Sequence, residues 1–77
     1  MSLYQHKLQV LAILSDNLRT PQPQLVPTAS IAREMDIQFS KLHQILKAMD
    51  SMGIIQTDSE LQYNLITRKG LNYLGEQ

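Results

Sequence analysis

The chain has 77 residues, with seven Lys and Arg against seven Asp and Glu, so its formal net charge is zero. That length holds one small core and no second domain, and the 43% hydrophobic content is that of a folded chain, not a disordered one. Absence of cysteine excludes a disulfide framework, a thiol nucleophile and a cysteine metal site, and favours a reducing compartment such as the cytoplasm.

The longest apolar run, Val10–Leu14, is far too short to span a membrane, and the N-terminus lacks a signal-peptide pattern, so no membrane partner is expected. Ser2 is a candidate N-cap for a first helix over residues 3–18. Tyr4, Leu8, Leu11 and Leu18 give one apolar stripe, and Leu3, Val10, Ile13 and Leu14 add a second flank. Such a helix is the centre of the core or, in part, a contact with a second copy.

Pro21 and Pro23 bar helix from the connection that follows, and Pro27 holds Val26 extended, which suits a short strand at Leu25 and Val26. Thr28 is the expected N-cap of a second helix over 29–35, with Ile31, Ala32 and Met35 inward. Asp36 tolerates the left-handed turn needed before Ile37 re-enters the core. A third helix over 39–51 turns Leu42, Ile45, Leu46 and Met49 inward and stops at Gly53. Phe39 is expected to pad the core edge; projecting outward, it would meet a thymine methyl group or a protein partner.

After Gly53 the period changes from helical to alternating. Ile54–Thr57 and Leu61–Ile66 read as strands around a polar Asp58-Ser59-Glu60 turn, giving a hairpin over 54–66. Leu61, Tyr63 and Leu65 are expected to face the core, with Gln62 and Asn64 outward. Thr67 then caps a last helix over 68–75 carrying Leu71 and Leu74. The expected fold is mainly α with a small β-hairpin: a three-helix core, a two-stranded wing and a short C-terminal helix.

Four segments carry a family resemblance. Ile31-Ala32-x-x-Met35-Asp36-Ile37 resembles the Leu-Ala-x-x-Leu-Gly-Ile step of helix-turn-helix regulators. Leu42, Ile45, Leu46 and Met49, followed by Met52-Gly53-Ile54-Ile55, are similar to the third helix and its exit into a wing. Tyr63-x-Leu65-Ile66-Thr67-x-x-Gly70 resembles the segment closing the wing in winged helix-turn-helix regulators of the MarR and PadR type. The departures are Asp36, where glycine is usual, and the extra apolar Ile66.

The resemblance implies a small transcriptional regulator that binds double-stranded DNA with its third helix in the major groove. Gln38, Ser40, Lys41, His43, Gln44 and Lys47 would then face the DNA, Gln44 suiting adenine and the lysines guanine or phosphate. Arg33, Arg68 and Lys69 would supply further phosphate contacts. Pairing of the first and last helices between two copies would make a homodimer. Zero net charge and the acidic wing tip at Asp58 and Glu60 support the alternative, a winged-helix module for a protein partner. If DNA is the partner, that acidic tip is expected to stay off the phosphates, and reversing both charges to lysine is expected to tighten binding. His6 and His43 lack metal-ligand spacing, and no nucleophile, phosphate-loop or paired-carboxylate motif is present. No cofactor and no catalysis are therefore expected.

Overall fold

A computed structural model describes residues 2–22 and 24–76. Pro23, one of the two prolines expected to bar helix from the first connection, lies outside them. The elements are α1 (Leu3–Asn17), β1 (Val26–Pro27), α2 (Thr28–Met35), α3 (Phe39–Ser51), β2 (Ile55–Thr57), β3 (Tyr63–Ile66) and α4 (Arg68–Gly75).

Helix α1 begins where its capping chemistry sets it. The Ser2 hydroxyl accepts from the Gln5 backbone N–H, and the Gln5 side chain accepts from the Ser2 N–H in return. Val10, Leu11 and Leu14 are fully buried, so α1 is the central helix, packed on the other three helices and on β3. Helix α3 brings Leu42, Ile45, Leu46 and Met49 to the same core, and α2 adds Ile31 and Ala32.

The two turns after α2 and α3 use the same device. Asp36 takes φ +53°, and Ile37 N–H bonds Ala32 C=O across the helix end. Gly53 takes φ +76°, and Ile54 N–H bonds Met49 C=O. In each case a left-handed residue closes the helix and returns the next apolar side chain to the core.

The second helix starts one residue before its expected position, and Thr28 is not its cap. Pro27 occupies the cap position, while the Thr28 hydroxyl donates to Leu61 C=O. A carbonyl on the hairpin has captured a side chain that local rules assign to its own helix.

The strands form a three-stranded antiparallel sheet in the order β1-β3-β2, so β1 joins the expected two-stranded hairpin as a third member. Val26 stands opposite Asn64, and Ile55 opposite Ile66. The faces of β3 are the reverse of the expectation. Asn64 is fully buried and Tyr63 is 45% exposed. The Asn64 amide nitrogen donates to Val26 C=O at 3.1 Å and to the Thr28 hydroxyl at 2.9 Å, which offsets part of the cost of its burial; its Oδ1 is buried without a partner among the described residues. Leu61 just ahead takes φ +57°, so strand alternation does not run back through it.

Helix α4 is capped by Thr67, whose hydroxyl accepts from Gly70 N–H and donates to Gly53 C=O. It packs against α1.

Candidate nucleic-acid interface

The core-facing stripe of α3 determines what its other face presents. Leu42, Ile45, Leu46 and Met49 point inward, so at 100° per residue Ser40, Gln44 and Lys47 lie on the opposite side, and all three are exposed. Gln44 makes no side-chain hydrogen bond to any described residue. Gln38 occupies the cap position of α3 without a side-chain capping bond, and is exposed. Ser40, Gln44 and Lys47 thus share one exposed face of the helix, with Gln38 just ahead of its first turn.

The remaining α3 candidates lie on its flanks. Lys41 and Gln44 border a hollow formed with Leu3 and His6 of α1. His43 is half-buried on the other flank, in a cleft between α3, the start of α2 and the hairpin turn. Arg33 is exposed on α2 and lines a second hollow with Gln38 and Phe39. Arg68 and Lys69 are exposed in the first turn of α4. The Lys69 side chain runs over Gly53, beyond the C-terminal end of α3. A thirteen-residue helix measures roughly 20 Å, so Lys69 stands at the opposite end of α3 from Arg33 and Gln38. The structure thus brings Arg33 and Gln38 together in one hollow and Lys41 and Gln44 together in another, with Ser40 and Lys47 on the outer face of α3, and leaves Arg68 and Lys69 apart.

All of these cations are electrostatically available. Among the described residues the ion pair is Arg19 with Asp16, and none of Arg33, Lys41, Lys47, Arg68 or Lys69 meets a carboxylate. The cations on and beside α3 are thus unpaired, with Asp36 and Glu60 lining the neighbouring hollows.

Phe39 departs from the expectation that it pads the core. It is 50% exposed, and its ring stands perpendicular to that of His43 with centroids 5.7 Å apart. Its distance from the buried stripe, three residues before Leu42, had left both orientations open. The first turn of α3 resolves this by projecting past the edge of the core.

Asp58, read as part of the polar turn and acidic wing tip, also holds that turn together. Its carboxylate accepts from Tyr63 N–H at 3.0 Å and from Gln62 N–H at 2.6 Å, closing the hairpin turn. The Tyr63 bond chiefly holds its pKa below the ordinary aspartate value; desolvation opposes it, and the Gln62 bond adds to the lowering. Reversing the charge at Asp58 would also remove these two turn hydrogen bonds, so Glu60→Lys is the cleaner variant for the acidic wing tip that the two residues form.

No family model and no curated protein matches the chain. Among solved structures, a cysteine-to-serine variant of Lactococcus lactis ZitR superposes with a TM-score of 0.73 over 94% of this chain, at 18% identity. The fold is a winged helix. The matched region is 48% of the ZitR chain, so this winged helix spans about half the length of that structure. In it, α2 and α3 form the helix-turn-helix, and β2 with β3 forms the wing.

Proposed function

We propose that this winged helix is the DNA-binding module of a small transcriptional regulator and inserts α3 into the major groove of double-stranded DNA. The outer face of α3 carries this reading: Ser40, Gln44 and Lys47 are exposed opposite the core stripe, with unpaired cations beside them. Gln44 has the donor and acceptor pair that matches adenine, while Lys41 and Lys47 match guanine or phosphate. Gln38, Ser40 and Arg33 sit where the helix-turn-helix approaches the backbone, and His43 lies at the groove edge facing the wing. Arg68 and Lys69 would reach only phosphates beyond the end of α3. The Tyr63-to-Gly70 segment supports a MarR- or PadR-like type, and a cytoplasmic, non-enzymatic role belongs to the same reading. A second copy would pair through α1 and α4, where Leu3 and Leu71 are exposed.

One observation favours a protein partner instead. Leu25, Tyr63 and Phe39 expose apolar surface in two adjoining hollows that meet at Tyr63. Fluorescence anisotropy with a mixed-sequence duplex at about 50 and 200 mM salt separates the two. DNA binding is expected to weaken with salt, and Lys41→Ala/Lys47→Ala is expected to reduce the log–log slope by about 2. No binding at the lower salt would remove the DNA reading and turn attention to the apolar surface.

A further inference from the structure

The polar face of α3 does not account for Phe39. Its ring is half in solvent at the first residue of the helix, the end that reaches base edges when such a helix enters a groove. On one side it borders the hollow containing Arg33 and Gln38. On the other it borders Ala29 and the His43 ring. The perpendicular contact with His43 restricts the ring before any partner arrives, so little side-chain freedom remains to be lost on binding. Ala29 is small and exposed, and leaves the approach open. Arg33, which makes no ion pair, shares the first hollow with the ring and with Asp36, and Glu60 lines the second.

We infer that Phe39 is a sequence-determining residue that reads a thymine through its 5-methyl group in the major groove, with His43 as the positioning residue that holds the ring. A thymine is distinguished in that groove by its methyl group as well as its O4 acceptor, and an aromatic ring can register only the methyl. This rests on the DNA-binding reading and adds to it a base identity that Gln44 and the lysines do not supply.

The test removes the methyl group and nothing else. A random-sequence duplex library is selected on the wild-type chain, and the selected duplex is remade with deoxyuridine replacing each thymidine singly. One or two replacements are expected to weaken wild-type binding roughly three- to tenfold, as loss of one apolar group from a fitted contact does. Phe39→Ala is expected to bind the thymidine and deoxyuridine duplexes equally, and Phe39→Leu to regain part of the difference. His43→Ala should narrow the difference without abolishing binding. A selected duplex indifferent to every replacement, or a Phe39→Ala chain that still distinguishes them, overturns the assignment while DNA binding stands. Failure to select any duplex overturns both together.

Discussion

Thr28 and Asn64 are the buried polar side chains of the described core, and they lie side by side where the wing joins the helix-turn-helix. The Thr28 hydroxyl donates to Leu61 C=O and accepts from the Asn64 amide, which also reaches Val26 C=O. Replacing Thr28 by valine keeps the shape and removes both bonds. Urea unfolding is expected to show a loss of about 1–3 kcal/mol, because a carbonyl and an amide lose their shared partner in a dry site. An unchanged midpoint would mean that water reaches them. Asp58 makes a different kind of contribution, exposed and dependent on charge. Its pKa is depressed in the folded chain, so its stabilisation is present above about pH 4 and lost as pH falls through the folded-state value. Melting temperatures of wild type and Asp58→Asn are expected to differ at pH 7 and to draw together as pH falls below the ordinary aspartate value. A difference independent of pH would assign the effect to shape, not to the carboxylate.

Among the elements, α4 shows how a helix is placed by a single missing side chain. A Cβ on Gly70 would stand 2.0 Å from the Ile54 carbonyl oxygen and 2.9 Å from Ile66 Cγ1. The helix therefore approaches the start of the wing more closely than any other residue allows, with Thr67 pinning its first turn to Gly53. Gly70→Ala is expected to cost roughly 1–3 kcal/mol or more, read as a drop in the urea midpoint. Gly75→Ala, where nothing lies within 4 Å, is the control and should be neutral or slightly stabilising. Equal effects at the two glycines would show that backbone freedom, not close approach, matters at Gly70. The Thr67-x-x-Gly70 pattern was visible as a motif, but its cause is this contact between elements distant in the chain.

For the whole molecule, the open matter is what lies against α1 and α4. The two helices pack on each other within one chain, Val10 is in the core, and Tyr73 and Leu74 pack against it, while Leu3, Tyr4 and Leu71 remain exposed to a second copy. Sedimentation equilibrium is expected to give a mass that rises with concentration towards twice the monomer; a constant 8.8 kDa would remove the paired arrangement. The order of helices and hairpin, the inward stripe of α3, the Ser2 cap and the left-handed turns at Asp36 and Gly53 were legible in the chain alone. Each depends on side-chain periodicity or on the backbone preference of one or two neighbouring residues, and such information is local. The inward turn of Asn64, the diversion of Thr28 to Leu61, the outward ring of Phe39 and the separation of Lys69 from Arg33 were not legible. Tertiary structure decided these, because each depends on whether a partner distant in sequence stands within bonding or packing distance, and no local pattern records that.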